Sequence, residues 1–406
     1  MAERNLDFDK IVDRKGTKCL KYDFAVKRGL PADVLPLWVA DMDFRTSSYI
    51  EDALNAVASH NIYGYTNIQR GDGFFEAVAG WMKRHHDFEV LPEWHVHTPG
   101  VCFAIANAIR AYTSIGDAVI IQQPVYYPFS NIVVSNGRKL VSNDLRYDGE
   151  GHYSIDFEDF ENKIRDNNVK LFVLCNPHNP VGRVWTKEEL ERIGDICKKH
   201  KVLVFSDEIH FDFIWSGKHY IFQEVKEEYR DFTITATSPS KTFNLAGAQQ
   251  SNIFIPNHEL KKKFVREYDI SGLDEPNLFG IAAAEAAYTY GDEWYEAVKR
   301  YIKSNIDFAK EYISENLPGV RLVPTEGTYL IWLDFRDLGI DARALDDLII
   351  NKAKLWLDSG RIFGSTGAGF ERINVACPRA VLYEALQRIK EVFYLSRRRP
   401  LPLSKV

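Results

Sequence analysis

Four short apolar runs, each stopped by a proline or a polar cluster, constrain this chain most. They are Ala118-Val119-Ile120-Ile121, Leu171-Phe172-Val173-Leu174, Val202-Leu203-Val204-Phe205 and Thr233-Ile234-Thr235-Ala236. The first stops at Pro124, the second at Pro177 and the third at Asp207. The fourth runs into Ser238-Pro239-Ser240-Lys241. Runs this short and this apolar read as strands buried on both faces. Helical patterns lie between them. Residues 102–112 form a helix of small and apolar residues, and 186–199 form one that opens on a capping box, Thr186 to Glu189. Buried strands alternating with helices predict an α/β fold with a mostly parallel sheet between helical layers.

The flanks differ in texture. Residues 1–44 mix charges, aromatics and turn formers and read as an arm. Amphipathic helices are expected over 48–59 and after Gly71-Asp72-Gly73, with the turn Tyr63-Gly64-Tyr65 exposed between them. A short strand is expected over 95–98. From about Gly291 the pattern becomes α+β: a long helix over 292–316, strands over 329–335 and 372–376, and helices over 342–353 and 379–394. Two domains follow, one over 45–290 and a smaller one made of 1–44 and 291–406. The length of 406 residues, 45% of them hydrophobic, supports cores of that size. The formal charge of −6 argues against a nucleic-acid partner. The 5 cysteines are scattered without a C-x-x-C pair, which points to a reducing compartment. No signal peptide is expected at the N-terminus and no run is apolar enough to span a membrane, so the expected location is the cytoplasm. The closing Arg397-Arg398-Arg399-Pro400 reads as a solvated tail.

In open parallel sheets, ligands bind beyond the carboxyl ends of the strands. Here those ends carry Asn176-Pro177-His178-Asn179-Pro180-Val181-Gly182, Asp207-Glu208-Ile209-His210 and Ser238-Pro239-Ser240-Lys241. Burial of Lys241 would free its amine to form a Schiff base with a carbonyl group. Asp207 could keep a pyridine nitrogen protonated, Asn179 could donate to a ring oxygen, and Tyr126 could stack on the ring. Ser238, Ser240 and the helix-opening amides of Gly100, Val101 and Cys102 could clamp a phosphate. The set fits a phosphorylated pyridine aldehyde whose protonated ring withdraws electrons from an amino-acid substrate. His95 and His97 share one face of a strand, but no third ligand is visible, so no metal is expected. Gly364-Ser365-Thr366-Gly367-Ala368-Gly369 leads into a strand rather than a helix, which argues against a dinucleotide loop.

These motifs resemble, in order and spacing, those of the fold-type I pyridoxal 5'-phosphate (PLP) enzymes of the class I/II aminotransferase superfamily. The resemblance covers nearly the whole chain and implies the PLP-dependent transferase fold, with a seven-stranded sheet in the large domain. Asp13-Arg14-x-Gly16-Thr17, the run Leu35 to Phe44, Tyr63-Gly64-Tyr65, Lys241 to Gly247 and Phe370 to Arg379 resemble the MalY/PatB-type cystathionine β-lyase branch. The resemblance implies that Lys241 carries the cofactor and moves protons, Asp207 pairs with the ring nitrogen, and Asn179 faces the 3'-oxygen while Tyr126 stacks. It implies that Arg372 grips the substrate α-carboxylate, helped by backbone near Val39 and Ala40, and that Tyr65 reaches the phosphate of a neighbouring subunit in a homodimer. His210 and Gln249 depart from the aspartate-aminotransferase pattern, where a tyrosine and an arginine stand. His210 is common in the lyase-like branch. The implied reaction is β-elimination from cystathionine or other cysteine S-conjugates. An aminotransferase would use the same residues, and a PLP-binding regulatory protein without turnover is the alternative from another class.

Overall fold

The structure is a computed structural model that describes residues 2–69, 71–273 and 275–398, with side chains through residue 393. The expected tail at residues 397–400 lies outside the described side chains. Helices Ser48–His60 (α1) and Phe74–His86 (α2) precede the central sheet. Its strands are His95–Thr98 (β1), Ala118–Ile121 (β2), Lys139–Ser142 (β3), Leu171–Cys175 (β4), Leu203–Asp207 (β5), Thr233–Thr237 (β6) and Ser251–Phe254 (β7). Helix Val101–Tyr112 (α3) follows β1, and helix Lys187–His200 (α4) links β4 to β5. The order across the sheet is β1-β7-β6-β5-β4-β2-β3, and only β7 runs antiparallel to its neighbours. Every residue of β2, β4 and β6 is buried, as their unbroken apolar or β-branched character requires. Separate hydrophobic clusters pack on the two faces, one containing Ile105, Val173 and Phe205, the other Phe172, Val204 and Trp185.

Helix Asp292–Asn316 (α5) leads to a second, antiparallel sheet of Arg321–Leu322 (β8), Leu330–Asp334 (β9), Asp358–Ser359 (β10) and Phe370–Asn374 (β11), ordered β8-β9-β11-β10. Helix Arg379–Arg398 (α6) closes the described chain. In the arm, Leu35–Pro36 pairs in parallel with Leu355–Trp356. Two expectations shift here. The helix expected over 342–353 is an α-helix only over Ala342–Asp347; it then widens through Leu348–Lys352, where the Ala353 amide bonds to the Leu348 carbonyl. The strand expected over 372–376 begins two residues earlier and ends at Asn374, because the Asn374 amide leaves the ladder to bond the Leu37 carbonyl of the arm.

Candidate active site

The carboxyl ends of β4, β5 and β6, the start of α3, the arm and β10–β11 surround a cavity of about 250 Å³. Lys241 reaches it from a one-turn helix, Pro239–Thr242, capped by Ser238. The Ser238 hydroxyl accepts from the Ser240 amide (3.1 Å) and donates to the Gln250 carbonyl (2.6 Å). Lys241 Nζ donates to the Ala40 carbonyl at 2.7 Å. Burial, and then the positive charge of Arg372, lower the Lys241 pKa to about 8.

Asp207 ends β5, where its Oδ1 accepts from the Ile209 amide at 3.2 Å. Burial pushes its carboxyl up to about 7, and no ion pair joins it to a cation among the described residues. Two residues after Asp207 the chain turns, and buried His210 also lines the cavity. Its Nδ1 has no partner, and burial holds its pKa well below the ordinary histidine value. Opposite, Arg372 is 2% exposed. Its Nη1 donates to Asn179 Oδ1 (2.9 Å), and its Nη2 donates to the Trp38 carbonyl (2.8 Å) and to Asp358. Its Nε is buried without a partner. Arg372 thus holds Asn179 by its oxygen, which leaves the amide nitrogen as a donor. Tyr126 is anchored by its own amide, which donates to the Asn179 carbonyl at 3.0 Å.

Helix α3 supplies the anion cradle. Gly100 precedes it at φ 143°, a region that favours glycine, and no side chain caps the helix. The first helical bond is that of the Ala104 amide to the Gly100 carbonyl, so the amides of Val101, Cys102 and Phe103 have no helical partner. An amine, an unpaired carboxylate, an open helix N-terminus and a tyrosine around one cavity therefore fit a phosphorylated pyridine aldehyde.

The structure brings together Val39, Ala40, Gly100, Val101, Cys102, Tyr126, Asn179, Asp207, His210, Ser238, Ser240, Lys241 and Arg372, all of which line the cavity with Gln249. Tyr65 is not among the lining residues; it is 95% exposed, on the outside of its own chain. Asp358 escaped the sequence reading, although a carboxylate directly after Leu355-Trp356-Leu357 was a visible anomaly. His95 pairs with Asn252 (3.1 Å) and His97 with Gln250 (2.5 Å), and among the described residues no group of three or more His, Cys, Asp or Glu side chains could hold a metal ion.

The sheet order and the site define the PLP-dependent transferase fold of type I. The chain belongs to the aminotransferase class I and II family, whose model matches residues 32–389. It is 42% identical to cystathionine β-lyase PatB of Bacillus subtilis over 386 residues, covering 95% of this chain and 99% of that one. Two solved structures share the fold across nearly their whole lengths. One is a PLP-bound protein from Clostridium difficile 630 described as a candidate aminotransferase (44% identity, TM-score 0.92, 95% of this chain and 99% of that one). The other is PLP-containing cystalysin from Treponema denticola (38% identity, TM-score 0.91, 96% and 98%).

Proposed function

We propose that this protein is a PLP-dependent carbon–sulfur β-lyase that converts L-cystathionine and related cysteine S-conjugates, with water, to a thiol, pyruvate and ammonia. The observation that carries this reading is the meeting of Lys241, Asp207 and Arg372 in one cavity of a chain 42% identical to PatB. Bound PLP supplies an electron sink for the pair released when the substrate loses its α-proton. The chain supplies the rest. Asp207 would hold a proton on the pyridine nitrogen, Asn179 would donate to the ring oxygen, and Tyr126 would stack on the ring. Ser238, Ser240 and the amides at the start of α3 hold the phosphate. Arg372 binds the substrate α-carboxylate, using the Nε that has no partner within the protein. Lys241, whose amine is held below the ordinary lysine value by burial and by Arg372, takes the α-proton. The Cβ–S bond then breaks, and its electron pair leaves with sulfur.

The same proposal includes a homodimer in which Tyr65 reaches the neighbouring subunit's phosphate. Its support is the exposure of Ile62, Tyr63 and Tyr65 on one segment. It also includes the division into 45–290 and 1–44 with 291–406, supported by the pairing of the arm with Leu355–Trp356. Among the described residues no helix is long and apolar enough to cross a membrane, and with the unpaired cysteines this supports a cytoplasmic enzyme. The likeness to the C. difficile protein favours amino transfer as the second reading. PLP-loaded protein given L-cystathionine and no keto acid tests the first. It should release pyruvate and thiol in equal amounts, and Lys241→Ala should release neither. Amino transfer on adding a keto acid, without thiol release, would sink the lyase assignment.

A further inference from the structure

The arm carries basic residues in two different situations. Arg14 and Lys21 are consumed by Asp41 and Asp43, with contacts of 2.6 to 3.5 Å. Arg28 is not. It closes the single 3₁₀ turn Val26–Arg28, its side chain is exposed, and no ion pair joins it to a carboxylate among the described residues. Its guanidinium carbon lies 4.8 Å from the centre of the Trp38 ring and 5.5 Å from that of Trp356. The two indoles are themselves stacked, 4.5 Å apart and 10° from parallel. Stacking fixes a planar guanidinium while leaving its edge N–H groups free to bind an anion.

The position matters because Trp38 is a wall of the cavity. Its carbonyl holds Arg372, and its ring carries Arg28. Asp358 and Tyr127, which also line the cavity, both feel the charge of Arg28. Two guanidinium groups are therefore tied to the same tryptophan, one lining the cavity and one just outside its lining. Arg372 is buried and aimed at the reacting end, while Arg28 is exposed beside it. A cysteine S-conjugate has its α-carboxylate at the reacting end. Some conjugates, cystathionine among them, have a second carboxylate on the thiol half.

We propose that Arg28 is the specificity-determining cation that binds a carboxylate on the thiol half of the substrate, so that the preferred substrates are cysteine S-conjugates whose leaving thiol carries a carboxylate. This rests on the lyase reading. Arg28 touches neither the reacting atoms nor the cofactor cradle, so its effect falls on KM rather than kcat.

The test compares L-cystathionine with S-methyl-L-cysteine, which lacks the distal carboxylate, on PLP-loaded wild type, Arg28→Ala and Arg28→Lys. For cystathionine, KM should rise about tenfold in Arg28→Ala, on the scale of one exposed charge-assisted hydrogen-bonded pair, and less in Arg28→Lys. For S-methylcysteine it should change less than about twofold, because that substrate has nothing for the cation to bind. An equal change for both substrates would assign Arg28 to the packing of Trp38, and no change for either would leave it a surface cation; each result overturns the proposal. If the wild type releases no pyruvate from either compound, the lyase reading fails instead. Titration of the bound cofactor's absorbance with each amino acid then decides for Arg28. A preference for cystathionine that Arg28→Ala abolishes supports it, and equal binding overturns it.

Discussion

Lys241 and Thr242 are neighbours in one short helix, yet they serve two buried polar clusters of opposite character. On the Thr242 side every group of the cluster is answered. Asp212 accepts from Thr242, from His86 Nε2 (2.7 Å) and from Trp81 Nε1 (3.2 Å), and the Asp212 carbonyl accepts from the Tyr295 hydroxyl (2.6 Å). Burial alone would raise the Asp212 carboxyl, but His86 and Thr242 outweigh it and hold it low. On the Lys241 side Asp207 has one backbone bond but no ion pair and is pushed up, the Lys241 amine is pushed down, and Arg372 Nε and His210 Nδ1 have no partner. A protein that can complete a buried network in one place and leaves it open a residue away is keeping the open one for a ligand.

The contrast can be broken by substitution. Lys241→Ala should reduce pyruvate release at least about 10³-fold, since it removes both the cofactor attachment and the base. Asp207→Asn should cost about 10²-fold in kcat, the scale of one preorganised electrostatic partner, while the protein stays folded. Arg372→Lys should raise KM about tenfold, because one ammonium cannot hold Asn179, Trp38 and Asp358 and still offer a donor to the α-carboxylate. Removing the arginine outright would also strand Asp358. Thr242→Val should do the reverse of these. It should lower the denaturation free energy by about 1–2 kcal/mol with little change in KM, because it takes one bond from the closed cluster.

The pH dependence of the cofactor-free protein sharpens the same comparison. Asp207 has a folded-state pKa raised to about 7, so between the ordinary carboxylate range and that value the folded state holds more protons than the unfolded one. Its contribution is therefore present at low pH and lost as pH rises toward 7, with a slope of up to about 1.4 kcal/mol per pH unit. Asp207→Asn should remove that slope in chemical denaturation measured from pH 4 to 7. An unchanged slope would mean that Asp207 is not the buried unpaired group described here.

Much of the open cluster was legible in the sequence because its residues sit at the ends of strands, where local pattern and topology meet. Asn179, Asp207, Ser238, Ser240 and Lys241 were all found that way. The antiparallel course of β7 was not, since Ser251–Phe254 carries no mark of direction. The partners of Arg372 lie 193 and 334 residues away, so its burial against Asn179 and Trp38 has no local signature. The pairing of Asp358 with Arg372 and the closed Asp212 cluster have no local signature for the same reason. Their chemistry exists only after arm, sheet and second domain have packed. Nothing local marks Arg28 among the charges of the arm; only the packing sets it over the ring of Trp38, a residue that lines the cavity.

The most direct test supplies L-cystathionine and 2-oxoglutarate together to the PLP-loaded enzyme and counts thiol against glutamate. The lyase account predicts that thiol and pyruvate accumulate over many turnovers in equal amounts, with glutamate a small fraction of either. Steady glutamate formation without thiol would contradict it and make the enzyme an aminotransferase built on the same open cluster.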